Sequence, residues 1–163
     1  MTSYGRYLCR PFARAMLSAM VLALLWPGGP VHAESPPLKL TSIRQGTTSQ
    51  VGVQEVFAVA KNPVKFKTLW GMPFGDSTPR PPPPEVDFEH QMVVAAVLAS
   101  NAGGCSSVNI DSVQVEADLL VVHYRLRKRR SDEICVNAVV TAFHFVSVPV
   151  VDLPVVFREQ ERR

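Results

Sequence analysis

In most of this chain apolar and polar residues are interspersed, but the run MVVAAVL at 92–98 is apolar at every position. Because consecutive apolar residues place side chains on both faces of an element, both faces must be covered. A helix is the competing interpretation. However, the run is short, rich in valine, and bounded by the prolines at 81–84 and by Gly103-Gly104. These features predict a central strand over Met92–Leu98.

Residues 107–126 show the pattern of a hairpin with one irregularity. A two-residue turn at Ala117-Asp118 pairs apolar residues across the strands, but an unbroken ladder would set the aspartate at 111 opposite Tyr124. An extra residue near Asp111-Ser112 brings Ile110 opposite Tyr124 instead, which predicts a β-bulge. The predicted pairs are Val115–Leu120, Val113–Val122, Ile110–Tyr124 and Val108–Leu126.

A second hairpin is predicted from the residues that follow. With a turn at Arg129-Arg130-Ser131, every pair on one face is apolar or aromatic, and a one-residue slip would move charges into the core. On the other face Arg127 meets Glu133, and Lys128 meets Asp132. The predicted apolar pairs are Leu126–Ile134, Tyr124–Val136, Val122–Ala138 and Leu120–Val140.

A short helix is predicted directly after a strand at Gln54–Lys61. Asn62 is a favoured N-cap, and Pro63 is a favoured first helical residue. The apolar face of this helix would dock on a sheet, and it consists of Phe66, Leu69 and Trp70. For Trp70, a ligand platform is the alternative to core packing.

Three further strands are predicted, at Leu38–Arg44, Thr141–Val148 and Val155–Phe157, the last of them at an edge. Several strands and one short docking helix make the fold class α+β and mainly β, with twisted antiparallel sheets. The chain without its first 33 residues is long enough for one domain with its own core.

Residues 1–33 have the three parts of a secretory signal peptide. Three arginines precede an apolar block at 15–26, and Val31-His32-Ala33 supplies the small residues of a cleavage site. An uncleaved anchor is the alternative, but the block is shorter than the ~20 residues of a membrane-spanning helix. We therefore expect cleavage before Glu34 and a single β-rich domain over 34–163. That domain would be periplasmic or secreted and would touch the membrane only before cleavage.

Export changes the interpretation of the charge. Three of the 17 basic side chains and none of the 14 acidic ones lie in residues 1–33, so the rest of the chain carries 14 of each. The basic character belongs largely to the signal segment, and no nucleic-acid partner is inferred from it.

Two cysteines, Cys105 and Cys135, remain after the signal segment. In an oxidising compartment, a disulfide between them is the leading assignment. A metal site or a redox pair is less favoured, because there is no CxxC and no histidine at ligand spacing from either cysteine. No cofactor or metal is expected.

Polar clusters give two candidate sites. The first is a basic surface for an anion or a protein partner, formed by Arg125, Arg127, Arg129 and Arg130. Pairing with acidic residues in the predicted hairpin neutralises part of its charge. The second combines Asp87, His90 and Gly103–Ser107, where a small hydrolase or ligand-binding protein would have its pocket. A turn in which Asp87 accepts from backbone amides is the alternative to acid–base chemistry.

Four motifs carry a resemblance to a known family: EVDFEHQMVV, AGGCSSVNIDSV, LLVVHYRL and AVVTAFHFVSVP. Together they resemble the C-terminal domain family named after PrcB, an accessory subunit of a bacterial surface protease complex. The resemblance covers roughly Phe57 to Phe157. The positions that match are Trp70, Val86-Asp87-Phe88, Gly103-Gly104, Ile110 and Thr141. Cys105 stands where the family often has tyrosine, and Ala142-Phe143 replaces a proline–aromatic step.

The resemblance implies an exported, noncatalytic domain with no catalytic residues to transfer. The expected function is therefore protein interaction with another envelope protein, in the manner of an accessory subunit of an envelope protease complex. The alternative is the small periplasmic ligand-binding protein or hydrolase described above.

Overall fold

A computed structural model of the chain describes residues 35–75, 78–102, 104–127, 132–135 and 137–161. In these ranges the elements are, in chain order, β1 (Thr41–Thr48), β2 (Val56–Ala60), α1 (Pro63–Gly71), β3 (Gln91–Val97), β4 (Asn101–Ala102), β5 (Ser107–Glu116), β6 (Leu119–Arg127), β7 (Val139–Pro149) and β8 (Val155–Glu159). The larger sheet has the order β1-β7-β3-β2, with β4 also paired to β7, and the smaller sheet has the order β5-β6-β8. Over the described residues, the predicted mainly β fold with one short helix is confirmed.

The predicted signal peptide at 1–33 lies outside the described residues. Within the described ranges, no helix has the length and apolar character needed to cross a membrane.

β3 is the strand predicted from the apolar run, and it lies between β2 and β7. Its residues do not alternate because both of its faces are covered. The face that packs against the smaller sheet carries Met92, Val94, Ala96 and Leu98. The face that packs against α1 carries Val93, Ala95 and Val97. The fold therefore has three layers, with the larger sheet in the middle.

The β5–β6 hairpin has the predicted register. Ile110 lies opposite Tyr124, and the register shifts between Ile110 and Ser112, as predicted for the β-bulge. Ala117 takes a positive φ of 51° in the turn, a conformation that two-residue hairpin turns favour. The other predicted pairs also form: Val115–Leu120, Val113–Val122 and Val108–Leu126.

The predicted hairpin between β6 and the residues after it is wrong. The second neighbour of β6 is β8, which pairs with it in parallel so that Val122 lies opposite Phe157. Ile134, the predicted neighbour of Leu126, is fully exposed. The Arg127–Glu133 ion pair forms nonetheless, whereas residues 128–131 lie outside the described ranges.

β7 shows why that prediction failed. This strand lies between β1 and β3 in the larger sheet, and every residue from Val140 to Val148 is buried. A strand that is apolar on both faces needs a layer on each face, which a hairpin with β6 would not provide. Matching apolar residues across one face cannot identify the partner, because any apolar strand satisfies it.

α1 docks as predicted. The side chain of Asn62 accepts a hydrogen bond from the Lys65 amide at 2.8 Å, and Pro63 begins the helix. Trp70 is buried against Phe145, with 5.1 Å between ring centroids, and its indole N–H donates to the Pro81 carbonyl at 2.9 Å. Trp70 therefore belongs to the core.

The disulfide between Cys105 and Cys135 is confirmed, with Cα atoms 5.6 Å apart. This separation is ordinary for a disulfide. The bond joins the residues just before β5 to the segment that leads towards β7. The remaining strand predictions are confirmed by β1, β2, β7 and β8, although β1 begins three residues later and ends four residues later than predicted.

Candidate functional site

At each of two opposite sides of the sandwich, an end strand of one sheet lies beside an end strand of the other. β1 and β5 end the sheets on one side, and β2 and β8 end them on the other. On the β1–β5 side, hydrogen bonds join the sheets. The Gln45 side-chain amide donates to the Val108 carbonyl at 2.8 Å, and the Leu38 amide donates to the Val113 carbonyl at 2.7 Å.

His144 adds a buried connection beside this closed side. Its side chain accepts the Ile110 amide proton at Nδ1, at 2.9 Å, so the ring proton is on Nε2, which lies 3.0 Å from the Ser42 hydroxyl. Burial lowers the pKa of His144, because the charged form loses its hydration. The neutral ring therefore joins β1, β7 and β5.

The β2–β8 side is open and holds a groove of about 510 Å³. Aromatic rings form part of it: Phe57 lies 5.4 Å from Phe157 and 4.6 Å from Tyr124, measured between ring centroids. The residues that line the groove are Phe57, Ala58, Val59, Lys61, Asn62, Lys65, Leu153, Val155 and Phe157.

The groove follows the free edge of β2. Phe57 and Val59 pack towards the core between the sheets, whereas Ala58 packs towards the helix. Ala58 also lines the groove, so residues from both faces of β2 contribute to it. Among the described residues β2 pairs with β3 alone, which leaves the outward N–H and C=O groups of the strand for another partner.

The two ends of the groove carry opposite charge. Lys61 and Lys65 line one end, and Lys61 Nζ lies 2.7 Å from the exposed Asp152 carboxylate. At the Phe57 end, burial raises the pKa of Tyr124, and the carboxylates of Glu159 and Glu55 raise it further. Both acids lie at that end of the groove, because Glu55 directly precedes β2 and Glu159 lies opposite Tyr124 in the β6–β8 pairing.

The described arginines of the predicted anion surface are already paired. Two nitrogens of Arg125 donate to the Asp111 carboxylate at 2.7 and 2.6 Å, and this pairing holds the pKa of Asp111 below its usual value. Arg127 pairs with Glu133. Arg129 and Arg130 lie outside the described residues.

Asp87 and His90 form a turn on the surface. The Asp87 carboxylate lies 2.8 Å from His90 Nδ1 and accepts from the Glu89 amide at 3.1 Å. Its hydrogen bond with His90 is the main reason that the pKa of Asp87 is lowered. Potential ligand atoms of Asp87, Glu89 and His90 lie within 4.8 Å of one another, and all three residues are exposed. Asp87 therefore accepts a backbone amide proton in a turn, as the alternative to acid–base chemistry predicted.

The structure does not bring this turn to the loop at 104–107. The His90 carbonyl accepts from the Val150 amide at 3.0 Å, just beyond the C-terminal end of β7. The strand that leads into the loop, β4, pairs with Val139 and Val140 at the other end of β7. The two ends of β7 are about 30 Å apart at the rise of an extended strand. Gly103 itself lies outside the described residues.

Sequence reasoning missed the groove. The signals that could have found it are two short apolar strands that each end near charge, VFAVA between Glu55 and Lys61, and VVF before Arg158. Neither pattern says that the two strands lie on the same side of the fold. Comparisons with protein-family models, curated proteins and solved structures gave no match.

Proposed function

We propose that this chain is an exported, noncatalytic protein-interaction domain that binds its partner at the groove between β2 and β8. The observation that carries this proposal is the difference between the two sides of the sandwich. The β1–β5 side is joined by hydrogen bonds, whereas the β2–β8 side keeps apolar side chains half-buried beside two end strands. Such a surface is typical of a place where another chain binds.

The partner in this proposal is another envelope protein, with a protease as the first candidate. Three features support it: the predicted signal peptide at 1–33, the disulfide between Cys105 and Cys135, and the resemblance to the PrcB family. Disulfides persist outside the reducing cytosol. The domain would then act as an accessory subunit that holds or positions the protease.

A binding role is favoured over hydrolysis by the chemistry of the groove. Its polar lining consists of Lys61, Asn62 and Lys65, and the Asn62 side chain is occupied as a helix cap. Asp87 and His90 lie in an exposed turn elsewhere. The described residues therefore present an apolar surface with a basic end in this groove.

Site-specific photo-crosslinking in the envelope of living cells tests this proposal. A photoreactive residue at position 65 lies in the groove, and the matched control at position 67 lies on the same helix but lines a different surface. We expect a discrete crosslinked protein from position 65 and none from position 67. Equal crosslinking from both positions, or none from position 65, would reject the groove as the binding site.

A further inference from the structure

We infer that the groove binds an extended acidic-and-apolar peptide segment, which adds to the free edge of β2 as an antiparallel strand. This inference rests on the proposed function and identifies the kind of partner segment. The segment is internal to the partner protein, is about five residues long, and places an acidic side chain at Lys61 and Lys65.

The main chain of β2 supports strand addition. β2 ends the larger sheet and pairs with β3 on one side. Its length, Val56–Ala60, offers about 17 Å of edge, which matches a segment of about five residues. An added strand would satisfy the outward N–H and C=O groups of β2. Each pairing within the larger sheet is antiparallel, so an antiparallel addition continues the existing pattern.

The side chains of the groove determine the pattern of the segment. A strand added to β2 would point alternate residues into the space between the sheets. There they would contact Phe57, Val59, Val155 and Phe157, which are only partly buried. Apolar residues at every second position would therefore cover this surface.

The charges determine the polarity of the segment. The ammonium of Lys65 has no carboxylate partner among the described residues. Lys61 forms an ion pair with Asp152, whose side chain is fully exposed. At the opposite end, Glu55 directly precedes β2, and Glu159 lies opposite Tyr124, whose ring contacts Phe57. Because β2 runs from Glu55 to Lys61, an antiparallel segment has its acidic residue on its N-terminal side and tolerates a basic residue on its C-terminal side.

Selection from a random hexapeptide library displayed on phage tests the inference, with the exported chain immobilised through its C-terminus. We expect peptides with Asp or Glu at the N-terminal side followed by alternating apolar residues. A selection without binders at micromolar affinity, or one that enriches an acidic residue at the C-terminal side, would overturn the inference.

Two measurements on a selected peptide separate main-chain pairing from charge. Methylation of one amide nitrogen that faces β2 is expected to weaken binding about tenfold, and methylation of the next amide, which faces away, leaves it unchanged. Lys65→Glu is expected to weaken binding about fivefold, whereas Lys67→Glu is expected to leave it within about twofold. Equal effects of both methylations, or of both charge reversals, would contradict strand addition in this orientation.

The inference and the proposed function fail in distinguishable ways. In one outcome, a partner crosslinks from position 65 while no selected peptide displaces it. That result would support the proposed function and overturn strand addition. A chain that sediments as a dimer, and becomes a monomer after Lys61→Glu, would show that a second copy occupies the edge of β2, which also overturns the inference. Absence of any crosslinked partner would reject both.

Discussion

The two sides of the sandwich differ in what holds the sheets together. On the β1–β5 side, polar groups bond to the smaller sheet through Gln45 of β1, the buried His144 of β7 and the amide of Leu38, which precedes β1. On the β2–β8 side, the described residues contribute ring contacts of Phe57 and the exposed ion pair Lys61–Asp152. Polar contacts therefore join the sheets on the first side, whereas apolar side chains stay partly exposed beside the end strands on the second.

This difference leads to an expectation about substitutions. Changes on the closed side should alter the free energy of unfolding and leave partner binding alone, as long as the chain folds. Changes in the groove should do the opposite.

Removal of the disulfide is expected to have the largest effect. Cys105 lies just before β5, the strand that ends the smaller sheet on the closed side. Replacing both cysteines by serine is expected to lower the free energy of unfolding by about 3–4 kcal/mol, because the loop between them gains entropy in the unfolded chain. Urea denaturation measures this change, and reduction of the natural chain is the control. A loss below about 1 kcal/mol would show that the closed side does not depend on the bond.

His144→Ala is expected to follow, with a loss of about 2–3 kcal/mol. The substitution leaves the Ile110 amide without its acceptor and opens space in a buried region. His144→Asn is the matched variant, because its side-chain oxygen can take the place of Nδ1, and it should retain part of the stability. If alanine and asparagine destabilise equally, the hydrogen bond to Ile110 is not what stabilises this side.

Lowering the pH is expected to destabilise the chain through the same histidine. The pKa of His144 is lowered in the folded state, so the unfolded chain binds the proton more strongly. The contribution is therefore present above the ordinary pKa of about 6.5 and is lost as the pH falls below it, by at most about 1.4 kcal/mol per pH unit. Thermal unfolding of the natural chain and of His144→Asn between pH 7 and 5 measures this. Identical slopes for the two proteins would contradict the assignment.

Charge reversal in the groove is expected to change stability least. Lys65 is exposed and forms no ion pair with another described residue, so Lys65→Glu should move the thermal midpoint by no more than about 3 °C. The same variant should weaken partner binding about fivefold, while Lys67→Glu should change neither property. Calorimetry and partner capture, done in parallel on both variants, measure the separation. A thermal midpoint lowered by clearly more than this in Lys65→Glu would instead place Lys65 among the stabilising residues.

Much of the fold follows from local sequence. The β5–β6 hairpin was predictable because a two-residue turn and the position of Asp111 together leave one register, with a bulge at Asp111-Ser112. β3 was predictable because a strand that is apolar on both faces needs two covering layers. α1 was predictable because Asn62 and Pro63 fit the first turn of a helix.

The second neighbour of β6 was not predictable in the same way. β8 follows β6 only after a long intervening segment that includes β7, and it pairs in parallel, so no turn connects the two strands to set a register. β7 has apolar residues that match β6 equally well on one face, and the shortest connection favoured that wrong hairpin. The same error hid the groove, because the groove exists only when β8 ends the smaller sheet opposite β2.

Amide hydrogen exchange of the chain, alone and with the protein crosslinked from position 65, tests the central claim most directly. In the free chain, we expect the outward amides of β2 to exchange faster than those of β5 that bond to β6. On binding, protection should appear in β2 and β8 and should not change in β1 and β5. New protection confined to β1 and β5, or none in β2, would contradict the assignment of the open side as the binding site.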